Sequence, residues 1–245
     1  MSLKNPHAQD MIAKSESRLN RSYNMNITVK IKIDNEFKYF EYDGDLNIPV
    51  TTLLERLDWP IEYSCSCLQG LCGACAMVIN SAPKLACKTF LKDEIMVTKH
   101  NQITIEPLSK FPVIKDLKVD RSVLYDAMKD CSLWLQSDAK IAKDIDFEYE
   151  MSLCLMCGCC MEACPNYGID DFVGTPVAVY ASKLIGQETS HNHLKEINDN
   201  YKEKFYPTCV KSIACEDICP MGISTQRAIS KMNRNSIWKI WHLIK

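Results

Sequence analysis

The chain has 245 residues, 29 basic against 31 acidic side chains and a formal net charge of −2. That balance, with no basic stripe, argues against nucleic acid as a partner, because phosphate binding needs a surplus of cations; 47% apolar and 24% charged residues suit a folded soluble protein with one large domain or two ordinary ones. The anomaly is cysteine: 14 Cys stand beside only 8 Gly, most of them in three tight groups rather than scattered as in a disulfide framework. Thiolates at ligand spacing in a reducing compartment explain that pattern better.

Residues 1–26 read as a polar, mobile extension. They hold neither the apolar core of a secretory signal nor a twin-arginine pair, so the protein is expected to stay on the cytoplasmic side. Residues 27–33, ITVKIKI, alternate apolar and polar, and the run Glu36 to Tyr42 alternates again after Asp34 and Asn35, which predicts a β-hairpin. Leu spacing over Thr51 to Leu57 predicts a helix, with Thr51 or Thr52 able to cap it. A Cys-rich loop follows, then a strand over Ala76 to Ile79, a turn at Asn80 and Ser81, and a last strand over Gln102 to Glu106. The order of hairpin, helix, loop and strands predicts a small β-grasp domain over residues 27–111.

Two prolines interrupt both patterns between Pro107 and Asp116, which sets a joint there. From about Val119 the period becomes helical, as in Val123, Leu124, Ala127, Met128, Cys131 and Leu135, so residues 112–245 are expected to form an all-helical, bacterial-ferredoxin-like domain. The fold class is therefore α+β. His191 and His193 lie in a polar stretch and read as solvated rather than as ligands. The tail Ser236 to Lys245, SIWKIWHLIK, reads either as a last helix packed on its own domain or as a contact at membrane headgroup level. No run is long enough to span a bilayer.

The first cysteine group, taken from Cys67 through Cys72 and Cys75 to Cys87, has the spacing C-x4-C-x2-C-x11-C, whose first three members match plant-type [2Fe–2S] proteins. Gly70 and Gly73 let the loop bend closely around such a cluster. Cys65 in place of Cys67 would widen the first gap to six residues, and buried free thiols or a zinc site is the bland alternative. The second group contains the run C-x2-C-x2-C-x3-C-P through Cys154, Cys157, Cys160 and Cys164, with Cys159 out of register. The third repeats that run at Cys209, Cys215 and Cys219, with Ser212 where a Cys is due. In two-cluster ferredoxins the fourth Cys of each run ligates the other run's cluster. The swap gives Cys154, Cys157, Cys160 and Cys219 to a [4Fe–4S] cluster and leaves Cys164, Cys209 and Cys215 with a [3Fe–4S] cluster, since a hydroxyl is a poor iron ligand beside thiolates. Cys65, Cys131 and Cys159 remain free.

G-x-G-x-x-G, P-loop and G-x-S-x-G motifs are all missing, and the five histidines form no catalytic set. Three clusters without a substrate site describe an electron conductor.

These cysteine runs, with FPVIKDLKVDRS between the halves, CPNYGIDDFVGTP after the second group and CPMGISTQRAISKMNR after the third, resemble the iron–sulfur subunit of succinate dehydrogenase and fumarate reductase. The resemblance covers residues 27 to about 234. It implies a partner flavoprotein subunit carrying FAD, a membrane anchor that completes a quinone site, and a peripheral position on the cytoplasmic face of the cell membrane. Ubiquinone-reducing relatives have Trp where this chain has Ile169 and His where it has Val210, which favours menaquinone. Ile169, Lys211 and Lys231 are the candidate quinone residues, the lysines as cations for a reduced carbonyl. Two other readings fit the cluster runs: a subunit serving another flavoprotein reductase, which usually adds a Cys-Cys-Gly-type domain for which no residues remain after 245, and a free ferredoxin-like carrier, a class that is typically smaller and more acidic.

Overall fold

The computed structural model describes residues 24–168 and 172–238. The extension before Asn24, Ile169, and the tail from Lys239 onward lie outside the described residues. β1 (Asn24–Ile33) and β2 (Glu36–Asp45) pair antiparallel, Ile33 facing Glu36. Asp34 and Asn35 take φ values of 49° and 67°, the left-handed geometry that matches strand twist in a two-residue hairpin and that Asp and Asn tolerate. Alternation then buries Ile27, Val29, Ile31 and Ile33 on one face.

Helix α1 (Val50–Arg56) packs Val50, Leu53 and Leu54 inward. The expected threonine cap is not used: Thr51 is buried inside the helix, and the capping position is Pro49, without a side-chain bond. The ring fixes Pro49 at φ −71°, so the chain enters the helix with little freedom to lose. β3 (Ala76–Ile79) and β4 (Ala82–Leu85) form a second hairpin, and β5 (Gln102–Glu106) runs parallel to β1 and antiparallel to β3. The sheet order is β2-β1-β5-β3-β4. With α1 and a further helix, α2 (Leu91–Thr98), this is a ferredoxin-like α+β arrangement. The sequence reading lacks α2, because Leu91 and Ile95 face the core while Met96 and Val97 are 67% and 81% exposed, which blurs the helical period.

The joint is a packed seam. It contains a two-stranded sheet of β6 (Val113–Lys115) and β7 (Lys118–Val119), and its ends are tied across the fold. Asp116 accepts from the Glu62 amide at 2.9 Å, and Glu162 accepts from the Ser109 and Lys110 amides, both at 3.0 Å. The sheet's apolar core runs on through Phe111, Leu117, Val119 and Leu124 to Cys157, Cys159 and Met161.

After β7 the described residues form helices and no further strand: α3 (Ser122–Asp130), α4 (Ile145–Ser152), α5 (Cys159–Ala163), α6 (Thr175–Gln187), α7 (His191–Lys204), α8 (Ala214–Asp217) and α9 (Thr225–Ser236). Two expectations need correction. Leu135 falls beyond α3 and is 41% exposed, since the helix stops at Asp130. His193 is buried rather than solvated: with Ile197 and Tyr201 it forms the inner stripe of α7, and its Nε2 lies 2.7 Å from the Trp134 carbonyl oxygen. Polar composition concealed the i, i+4, i+8 pattern. None of the described helices is long and apolar enough to cross a membrane.

Glu188 ties the loop after α3 to the α6–α7 corner. Its buried carboxylate accepts from the Ser137 hydroxyl and from the amides of Gln136 at 2.9 Å and of Thr189 and Ser190 at 2.8 Å. These donors, Ser137 foremost, hold its carboxyl down at about 2 against an ordinary 4.5. A depressed folded-state pKa contributes stability that is complete above the unfolded value and lost as pH falls through the folded one. Glu188→Gln should therefore flatten the acid-unfolding curve between about pH 4.5 and about pH 2, measured by circular dichroism. An unchanged curve would contradict the role given to this carboxylate.

Candidate iron–sulfur centres

The first site is built on the loop between α1 and β3. Leu68, Gly70 and Gly73 adopt φ values of 53°, 73° and 72°, which curls the loop and turns its amides inward. The Cys67 sulfur accepts from the Gln69 amide at 3.3 Å and the Leu71 amide at 3.2 Å, Cys72 from Ala74 at 3.4 Å, and Cys87 from Gly70 at 3.2 Å. Cys87 reaches the loop from the turn after β4, its sulfur 3.3 Å from that of Cys75. The Cys72 thiol in turn lies close enough to Cys67 to help lower it. The four thiols thus meet in two pairs, the distribution two bridged irons require. Amides of Gln69 and Leu71 bring the Cys67 thiol down to about 7, while burial pushes Cys75 up to about 12. Cys65 is exposed and sits beside the Tyr63 hydroxyl.

The second and third groups share one backbone design. In the first run Met156 and Gly158, two and four residues after Cys154, have φ of 52° and 88°; in the second, Lys211 and Ile213, at the same offsets from Cys209, have 58° and 64°. A short helix follows each, α5 after Gly158 and α8 after Ile213. Ser212 therefore occupies in its run the station of Cys157. A β-branched residue such as Ile213 seldom takes a left-handed φ, so the loop geometry overrides local preference there.

Two cavities divide the cysteines across the runs. One is lined by Cys154, Cys157, Cys160 and Cys219 among apolar Leu155, Pro176 and Ile223. The other, about 150 Å³, is lined by Cys164, Cys209 and Cys215 together with Ser212, Lys211 and Thr225. Burial pushes the Cys154 thiol up to about 11 and raises Cys160 and Cys209 as well. Buried thiols of this kind become thiolates only against a metal's charge. Among the described residues no three His, Cys, Asp or Glu side chains converge on a single ion position. The donor set fits polynuclear iron–sulfur groups, in which the thiolates are shared among several irons instead of converging on one.

Other candidates fall elsewhere. Cys131 is buried and its thiol is pushed up to about 11 by burial. Cys159 is fully buried in the core that joins the halves, and its proximity to Cys157 lowers the Cys157 thiol to about 7 while raising its own. Lys211 lines the second cavity. Lys231 does not: it pairs with Glu148 at 3.0 Å and stacks 4.0 Å over Phe147, in a neighbouring cleft. One residue beside these centres carries no signal of its own in the sequence. Arg121 joins the first and second centres, and its partners lie 36 to 48 residues away, so no local pattern marks it.

Thiols gathered at three stations on an α+β ferredoxin-like scaffold define an iron–sulfur electron-transfer protein. Two family models match, a 2Fe-2S iron-sulfur cluster binding domain over residues 22–126 and a 4Fe-4S dicluster domain over residues 150–223. The succinate dehydrogenase iron-sulfur subunit of Bacillus subtilis is 32% identical over 191 residues, 72% of each chain. The fumarate reductase iron-sulfur subunit of Wolinella succinogenes is 29% identical over 206 residues, 78% of this chain and 83% of that one. The fold matches a chain of the Mycobacterium smegmatis Sdh1 complex in the apo form with a TM-score of 0.70 at 21% identity, over 89% of this chain and 98% of that one. The chain belongs to the family of iron–sulfur subunits of succinate dehydrogenases and fumarate reductases.

Proposed function

We propose that this subunit is the non-catalytic electron conductor of its complex, linking the FAD of a partner flavoprotein to membrane quinone on the cytoplasmic face, beside a membrane anchor. The observation that carries the reading is the division of the two ferredoxin runs between two cavities, each taking its last cysteine from the other run. Cys67, Cys72, Cys75 and Cys87 hold [2Fe–2S], Cys154, Cys157, Cys160 and Cys219 hold [4Fe–4S], and Cys164, Cys209 and Cys215 hold [3Fe–4S]. The division into domains at residues 111 and 112, the first a β-grasp unit, is part of this proposal. When bound, the clusters supply one-electron transfer. The chain's own part is to fix their spacing, to exclude water with residues such as Pro176 and Ile223, and to aim amides at the sulfurs.

Lys211 is the cation proposed for the quinone end, menaquinone being favoured by Val210 and Ile169. Lys231 is already neutralised by Glu148. The test is purification of the complex from its native membrane. A co-purifying flavoprotein and reduction of the clusters by succinate are expected, and a chain isolated alone from intact membranes would contradict the reading. In that complex Lys211→Met should lower quinone-linked turnover about tenfold, or about 1.4 kcal/mol, and spare succinate oxidation by an acceptor working at the flavin. Equal losses in both assays would remove Lys211 from the quinone site.

A further inference from the structure

Arg121 stands on the residue that caps α3, at the end of the seam between the halves. Its guanidinium donates through Nη1 to the Gly73 carbonyl at 2.7 Å and the Cys157 carbonyl at 3.2 Å, and through Nη2 to the Ala74 carbonyl. Gly73 and Ala74 are the two residues between Cys72 and Cys75, so one planar fork grips the loop of the first centre and a ligand residue of the second. The loops touch beneath it: a Cβ on Gly73 would stand 2.8 Å from the Cys157 Cβ and 3.0 Å from the Leu155 carbonyl oxygen.

The partners of this cation are unusual. Among the described residues no carboxylate forms an ion pair with Arg121, and the adjacent Asp120 is engaged by the Ser122 amide and hydroxyl at 2.8 and 3.0 Å. A part-buried guanidinium normally has an anion beside it. Here the residues it grips adjoin Cys72 and Cys75 on one side and include Cys157 on the other, whose thiolates would supply the negative charge when the clusters are bound.

We infer that Arg121 is a positioning residue for electron transfer, whose guanidinium locks the [2Fe–2S] and [4Fe–4S] loops at a fixed separation and acts as their shared counter-ion. One electron leaves the first centre and enters the second, and Arg121 keeps its proton throughout, because a guanidinium does not titrate in this range. A centre gains one negative charge on reduction, so the cation favours the reduced state of both. Lysine can keep the charge but has no planar fork to span three carbonyls.

The test is potentiometric EPR on the full chain loaded with all its clusters, comparing the wild type with Arg121→Gln and Arg121→Lys. Arg121→Gln should lower the potentials of both centres, with the reduced-to-oxidised ratio at a fixed potential falling about tenfold, equivalent to about 59 mV for one electron. The centre in the Cys164, Cys209 and Cys215 cavity, which none of Arg121's partners lines, is the internal control and should not move. Arg121→Lys should stay near the wild-type potentials while the magnetic interaction between the two reduced centres weakens. Unmoved potentials in Arg121→Gln at full iron content, or a shift in only one of the two centres, would overturn the inference. Failure of both variants to hold iron would also overturn it, reducing Arg121 to a structural staple. The inference rests on the cluster assignment above, and the two failures are distinguishable: a wrong assignment shows as a missing centre in the wild type, before any variant is made.

Discussion

Ser212→Cys is expected to turn the centre of Cys164, Cys209 and Cys215 from three irons into four. The two runs repeat each other's positive-φ stations, so a sulfur at residue 212 would begin from the backbone geometry that Cys157 has in its own run. The hydroxyl there now is a hard, high-pKa donor that competes poorly with thiolate for iron. Cysteine would add an anionic ligand at the corner nearest Lys211 in the chain and lower the potential of the centre, since added negative charge opposes reduction. The near-isotropic low-field EPR signal of the oxidised protein should disappear, and iron content should rise by about one per chain. A variant that keeps the signal and the iron count would show that residue 212 does not face the open corner.

The second large effect is expected at Gly73. Its φ of +72° already disfavours a side chain, and its Cβ would enter the contact between the two cluster loops, 2.8 Å from the Cys157 Cβ and 3.1 Å from its Cα. Left-handed strain contributes about 1–2 kcal/mol and overpacking about 1–3 kcal/mol, so Gly73→Ala should lose about 2–5 kcal/mol in denaturant unfolding. Gly168 separates the two causes, because its φ is +93° but no atom of the described residues lies within 4 Å of its Cβ position. Gly168→Ala should show the backbone cost alone. Equal losses at the two glycines would mean that the loops are not in tight contact at Gly73.

The parts of this molecule that sequence makes legible are those where chemistry imposes a local period. The hairpin of β1 and β2 follows from alternation and from two turn residues that accept positive φ, although β1 begins at Asn24, ahead of the first apolar residue of the pattern. The cysteine stations follow from ligand spacing, and Ser212 is recognisable because a repeated run makes a substitution visible. What sequence conceals is decided over long range or against composition. Helix α2 carries exposed Met96 and Val97, the β6–β7 pair is too short to show alternation, and His193 is buried in a stretch of polar residues. Arg121 reads as an ordinary charged residue before a helix, and only the folded chain brings Gly73, Ala74 and Cys157 to it.

Mössbauer spectroscopy of the anaerobically purified, iron-57-enriched full chain, with iron and sulfide counted on the same sample, tests the central claim most directly. The account predicts about nine irons per chain resolved into [2Fe–2S], [3Fe–4S] and [4Fe–4S] components, unchanged when Cys65, Cys131 and Cys159 are replaced by alanine. About ten irons with two cubanes in the fresh protein, or loss of any component on replacing one of those three cysteines, would contradict it.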